Sequence, residues 1–287
     1  MEITVASYNP NHLYHPDDPY SGSENRYEVA EEIIRNISPH ILLIQEIAAK
    51  SQEQAEQNAR HLAEATNLRC ELPDGSNGNY AVLKSNTHNL ANGVLWHPDI
   101  EPLRWQSLPG FWHGFGMLAV NINGVQVNYG CYHGQPAGWH TSGDTRPEEA
   151  RRIGELAAAQ EPDSLTIIGG DWNSISADQV DGEYYDHRTV SENADAGFRR
   201  FVLDRTPGQI LRAAGLIDVA VARSGTTPAS KADTEGPTEK EGSRRNDIFR
   251  ASQTVMRLVS YYDVIITPDA IEASDHLPIV MRHGLPT

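Results

Sequence analysis

Leu165–Thr166–Ile167–Ile168 is a short apolar, mostly β-branched run that stops at Gly169–Gly170 and then presents Asp171 and Asn173. A run of this kind ended by glycines is a strand arriving at a loop. The glycines permit a tight turn or a positive φ. A carboxylate and an amide just past a rigid strand form either a capped turn or part of a site. The same arrangement recurs along the chain, and that recurrence limits the fold. Strand 3–8 ends in Asn9–Pro10–Asn11, strand 40–44 delivers Gln45–Glu46, and strand 125–132 ends at His133. Strand 261–267 contains Asp263, and Ser274–Asp275–His276 precedes a last strand over 277–281.

Helical patterns separate some of these strands. Residues 24–37 place Tyr27, Ala30, Ile33, Ile34 and Ile37 on one face, and 51–66 form a second helix. Pro147–Glu148–Glu149 opens a third, to about residue 160, with proline and acids in its first turn. Pro207 opens a short one that ends near Gly215. Asn123–Gly124 between strands 117–122 and 125–132 is a hairpin signal. Further strands are expected over 79–84, 93–96 and 216–222, and the polar stretch 224–247 reads as a mobile loop. Strands outnumber helices and several neighbours are hairpins. The expectation is an α/β chain of the α+β type: mixed sheets packed together with helices outside, in one domain over 1–287.

The formal charge of −16 argues against holding nucleic acid by bulk electrostatics alone. It is compatible with an enzyme that recruits divalent cations to meet a phosphate. Cys70 and Cys131 have no metal-ligand spacing and read as buried free thiols. No signal-peptide pattern opens the sequence and no apolar run reaches spanning length, so a cytoplasmic monomer without a membrane anchor is expected.

Each strand-end residue has a bland reading as a turn former or a local pair. Glu46 is the hardest to read so, because a carboxylate directly after a buried strand must be paired, solvated or on a metal. Taken together, the Asp, Glu and Asn oxygens suit a hard ion such as Mg²⁺, with Mn²⁺ as a substitute. Two histidines supply donors or move protons. The combined reading is metal-assisted hydrolysis of a phosphate ester.

Asn9–Pro10–Asn11, Ile44–Gln45–Glu46, Gly170–Asp171–Trp172–Asn173 and Ser274–Asp275–His276 resemble, in order, the motifs of the endonuclease/exonuclease/phosphatase superfamily. The resemblance implies a DNase I-like four-layer sandwich of two mixed β-sheets flanked by helices. It implies that Glu46, supported by Asn9 or Asn11, binds the main Mg²⁺, with Asp275 near metal or a second cation. His133 stands where DNase-like and phosphatase branches keep a phosphate-contacting histidine; abasic-site endonucleases carry tyrosine there. Asp171 and Asn173 would orient water and bind the phosphate, and Asp263 would orient His276. The resemblance leaves the general base open. Asn92 resembles the polar residue that supports the middle histidine. Arg26 and Arg151 lie where relatives carry an arginine, although a helix-face salt bridge explains either equally well.

The leading expectation is a Mg²⁺-dependent phosphodiesterase, a nuclease acting on DNA or RNA. The alternatives are a phosphatase or phosphodiesterase of a small or lipid phosphate, and a binding protein without turnover. Arg244, Arg245, Arg250 and Arg257 offer a modest basic cluster, or an ordinary solvated loop. Trp112, Tyr132 and Trp139 either stack on bases or fill gaps in the fold.

Overall fold

Two apolar faces per strand decide the architecture, because each sheet must be covered on both sides. The structure is a computed structural model and describes residues 1–15, 26–73, 79–160, 164–174, 176–178, 197, 200–201, 204–222 and 245–286. The expected residues 224–244 and Arg244 lie outside these. One sheet contains β1 (Ile3–Tyr8), β2 (Ile41–Ala48), β3 (Val82–Lys84), β4 (Leu90–Trp96), β11 (Val259–Val264) and β12 (Ile279–His283). The other contains β5 (Glu101–Leu108), β6 (Phe115–Ile122), β7 (Val125–His133), β8 (Leu165–Asp171), β9 (Leu216–Asp218) and β10 (Asp247–Ser252). The strand orders are β11-β12-β1-β2-β4-β3 and β5-β6-β7-β8-β10-β9. Both sheets are mixed, as expected.

Each sheet has one parallel pair at its centre, β1 with β2 and β7 with β8; the other pairings are antiparallel. Parallel neighbours end at the same edge. The C-terminal ends of β1, β2, β7 and β8 are where Asn9, Glu46, His133 and Asp171 stand.

Alternation along the strands sorts the core into layers. Ile3 and Val5 of β1 and Ile41 and Leu43 of β2 meet Leu118, Tyr129, Cys131 and Ile167 of the second sheet. Ala6, Tyr8, Leu42 and Ile44 face outward onto α1 (Arg26–Ile37) and α2 (Gln52–Thr66). On the far side, Phe115, Met117, Ile168 and Trp172 pack against Ile153 of α3 (Arg146–Ala158) and Leu211 of α4 (Thr206–Ala213). The order is helix, sheet, sheet, helix. Among the described residues no helix is long and apolar enough to cross a membrane. Both cysteines are buried and free.

Several expectations are corrected. Asp247 is not the end of a loop but the first residue of β10, a strand the polar sequence concealed. Residues 216–222 are a three-residue strand followed by a one-turn helix, α5 (Val219–Ala222). After β10 comes α6 (Gln253–Met256), and the connection before Ser274 is a helix, α7 (Pro268–Ala273), capped by Thr267. Strand β5 was not anticipated, because its pattern is exposed and charged.

The Gly169–Gly170 pair has a steric cause. Gly170 takes φ 151°, and a Cβ there would lie 1.7 Å from the Tyr132 carbonyl oxygen on the parallel neighbour. Gly170→Ala is expected to destabilise the fold by on the order of 3 kcal/mol or more, read as a fall in urea midpoint. An unchanged midpoint would contradict this packing.

Candidate active site

Register places the first three groups. In the second sheet His133 pairs with Asp171 across the parallel pair, and Asp171 pairs with Asp247 across the antiparallel one. His133, Asp171 and Asp247 therefore form one row on one face of β7, β8 and β10. Two carboxylates directly opposite repel. His276, which precedes β12, lies between them: its Nδ1 is 2.8 Å from Asp247 Oδ2 and its Nε2 is 3.6 Å from Asp171 Oδ2. Burial opposes a charge on His276, but the carboxylates of Asp247, Asp171 and Asp275 outweigh it and raise the imidazolium pKa to about 10.

The first sheet supplies the facing half. The β2–β4 register shifts between Ile44 and Ile47, and Glu46 takes φ 55° there. This bulge re-aims its carboxylate. Asn9, fully buried, donates Nδ2 to Glu46 Oε1 (3.0 Å) and to Asp171 Oδ2 (3.4 Å), joining the two sheets. Its own Oδ1 accepts from the Asn11 amide (3.0 Å) and its carbonyl from Ser274 Oγ (2.8 Å). Asn11 thus contributes backbone, at φ 51°. Buried Arg26 pins this loop by donating to the carbonyls of Pro10, Asn11 and Ala273. Its role is structural support of the site, whereas Arg151 pairs on the surface of α3 with Glu148 and Glu155.

Asp171 is the hub. Its Oδ1 accepts from the Asn173 amide (3.0 Å), and its Oδ2 accepts from Asn173 Nδ2 (3.1 Å) as well as from Asn9. His133 Nε2 stands 3.6 Å from both Asp171 Oδ2 and Glu46 Oε1. Asn173, at φ 45°, also donates to the Gly134 carbonyl (3.2 Å), and its own carbonyl accepts from buried Arg146. Trp172 turns away, buried against Tyr132 at 4.6 Å with its indole N–H on the Ile248 carbonyl.

Asp263 does not join this group. Its carboxylate accepts from Tyr261 Oη and the Val264 amide on β11, an edge strand, and it has no bond to His276. Asp247 occupies the position expected of it. Asn92 does not touch His133 either: its Nδ2 donates to the carbonyls of His113 and Gly114. The His113 ring instead lies on His133, with centroids 3.9 Å apart and planes 11° from parallel. Asn92 thus reaches His133 through the His113 backbone and ring. Burial holds the His113 pKa well below the usual imidazole range, so a neutral ring covers His133. Asp275 is half-buried beside His276. His12, also unanticipated, gives its backbone N–H to Glu46 Oε2 (3.1 Å) and places Nε2 3.6 Å from the same oxygen.

Two members of the expected basic cluster are spent inside the protein. Arg245 pairs with Asp218 at 2.6 Å and Arg250 with Asp178 at 2.9 Å, all buried. Of the cluster's described residues, Arg257 alone is exposed.

A family model for the Endonuclease/Exonuclease/phosphatase family matches residues 6–276. No curated protein matches the chain. Among solved structures, an AP endonuclease from Archaeoglobus fulgidus superposes with a TM-score of 0.63 at 15% identity, covering 99% of this chain and 100% of that one. A D. rerio TDP2 complexed with a single-strand DNA product gives 0.61 at 13% identity, covering 99% of each chain. A family protein from Leptotrichia buccalis gives 0.59 at 14% identity, covering 99% and 100%. At these identities the likeness shows a shared fold.

The raised His276 pKa carries a pH signature. Its pairing stabilises the fold fully below the unfolded value of about 6.5 and is lost as pH rises through about 10. In chelator, unfolding free energy should therefore fall between about pH 7 and pH 10, and Asp247→Asn should flatten that slope. Equal slopes in the two proteins would contradict the pairing.

Proposed function

The chain belongs to the endonuclease/exonuclease/phosphatase family, and from that membership we propose that it is a divalent-metal-dependent phosphodiesterase of nuclease type, acting on DNA or RNA. The observation that carries this reading is the convergence of two imidazole Nε2 atoms on Asp171 Oδ2, each at 3.6 Å. That spacing is too long for a hydrogen bond, so each ring nitrogen remains available to a phosphate oxygen.

The residues fit a hard divalent ion at Glu46. This carboxylate is mostly buried, is met by single N–H donors from Asn9 and His12, and pairs with no lysine or arginine among the described residues. A carboxylate so placed favours a cation. Glu46 would hold Mg²⁺ or Mn²⁺, with Asn9 and Asn11 ordering the loop and Asp275, beside His276, as a further carboxylate, and the bound ion would withdraw charge from the phosphate oxygens. The Asp171–Asp247–His276 group also brings its ligand atoms within 4.8 Å of one another. Here the two carboxylates flank the His276 ring and raise its pKa, an arrangement that suits holding a proton.

Within this reading His276, charged and backed by Asp247, donates Nε2–H to a non-bridging oxygen as negative charge grows there. His133 contacts the opposite side of the same phosphate. Asp171, fixed by Asn9 and Asn173, orients or deprotonates the attacking water. Asn173 donates Nδ2 to Asp171 Oδ2 and to the Gly134 carbonyl and so positions Asp171; to meet the phosphate its amide would exchange one of these bonds. Asp263 has no part in this chemistry.

His276→Ala and Asp171→Ala should each lower turnover about 10³-fold or more with the circular dichroism spectrum retained. Activity within a few-fold of the parent in either would reject the assignment. Chelation should stop hydrolysis and Mg²⁺ or Mn²⁺ should restore it; restoration by Zn²⁺ alone would reject the hard-ion site.

A further inference from the structure

The stack on His133 does not end at His113. The His88 ring lies 4.7 Å from that of His113, and Trp112 lies 5.4 Å from His88. Trp139 closes the series, 5.7 Å from His88 and 6.0 Å from Trp112. His133 is buried and Trp139 is 50% exposed, so a continuous ladder of rings leads from the reacting centre to solvent.

Hydrogen bonds tie together the backbone segments that carry Trp112 and Trp139. Ser85 Oγ and Thr87 Oγ1 both donate to the Trp112 carbonyl, binding the β3–β4 turn to the Trp112 segment. The Trp112 amide donates to Glu149 Oε1, and Tyr132 Oη to Glu149 Oε2, each at 2.6 Å. Buried Gln135, two residues past His133, donates to the carbonyls of Trp139 (2.9 Å) and Gly143 (2.7 Å) and accepts from the Thr145 amide. Three separate segments are thus tied into one aromatic wall. Tyr132, by contrast, is buried in the packing and offers no face.

We propose that this wall binds a base of single-stranded nucleic acid, with the base of a nucleotide flanking the scissile phosphate stacked on Trp139 and Trp112. The inference rests on the phosphodiesterase reading and names its substrate class. A half-exposed indole joined through rings to a phosphate-contacting histidine suits a flat, uncharged group, and every base has such a face. Lys84 selects the sign of what lies beside it. Its Nζ donates to the His88 carbonyl at 2.7 Å and has no carboxylate partner among the described residues. An ammonium at the wall disfavours a cationic headgroup such as choline and favours a phosphate backbone. Duplex is disfavoured because the net charge is −16 and Arg245 and Arg250 are consumed in buried pairs. An unpaired strand exposes the base faces that a duplex keeps stacked.

The test compares the parent, Trp139→Ala and Trp139→Phe on a short single-stranded DNA and on the same strand with tetrahydrofuran abasic residues flanking the scissile phosphate. Binding is read by fluorescence anisotropy in EDTA, and kcat and KM with Mg²⁺. Trp139→Ala should weaken binding and raise KM about tenfold on the intact strand, with kcat moving less; Trp139→Phe should recover most of this. The parent should lose about the same factor on the abasic strand, and Trp139→Ala should bind the two strands alike. Equal losses for Trp139→Ala on intact and abasic strands would overturn the stack, as would Trp139-dependent binding displaced by phosphatidylcholine vesicles. If the parent cleaves no phosphodiester, the phosphodiesterase reading falls, and the EDTA binding comparison still decides the stack.

Discussion

Asp171 is a charge in a place where charge is costly, and much of the structure follows from supporting it. It is 2% exposed, opposite Asp247 in the sheet, at the end of a strand whose preceding glycine leaves no room for a side chain. A buried carboxylate needs several donors or a counter-charge. Asn9 and Asn173 provide the donors, and His276 provides the charge for both aspartates at once. Because Asn9 also donates to Glu46, the same amide fixes the separation of the two halves of the site. The Arg26 and Arg146 guanidinium groups then hold the loops that present Asn9 and Asn173, each by carbonyl contacts.

The topology makes this support possible. A central parallel pair in each sheet sends four strand ends to one edge, and face-to-face packing brings the two edges together. Rigid strands position the polar groups, and left-handed residues at Asn11, His12, Glu46 and Asn173 aim them. Such backbone conformations cost free energy and persist where surrounding bonds determine them. Their concentration here agrees with a site built for a ligand.

The sequence was most legible where an apolar run ends abruptly in a polar residue. Asn9, Glu46, His133 and Asp171 carry that mark, His276 stands instead just before an apolar run, and the structure brings all five together. Asp247 does not carry it. The strand it opens contains Arg250, whose charge reads as surface but is neutralised by Asp178 inside the protein, so pattern alone placed the segment in a loop. Asp263 showed the opposite problem. Tyr261–Tyr262–Asp263–Val264 has the right local form, yet it lies on an edge strand and pairs locally. His113 sits in a short irregular connection between β5 and β6, and its stacking on His133 depends on long-range packing that no local spacing encodes.

Under the proposed metal-dependent reading, two carboxylate groups are candidates to hold the cation: Glu46 on the first sheet, and the Asp171–Asp247 pair on the second. Titration calorimetry with Mn²⁺ on the parent, Glu46→Gln and Asp247→Asn proteins separates them. The account predicts that Glu46→Gln abolishes Mn²⁺ binding while Asp247→Asn keeps it within about tenfold of the parent. Retained binding in Glu46→Gln together with loss in Asp247→Asn would contradict it, and would move the metal to the aspartates that His276 now bridges.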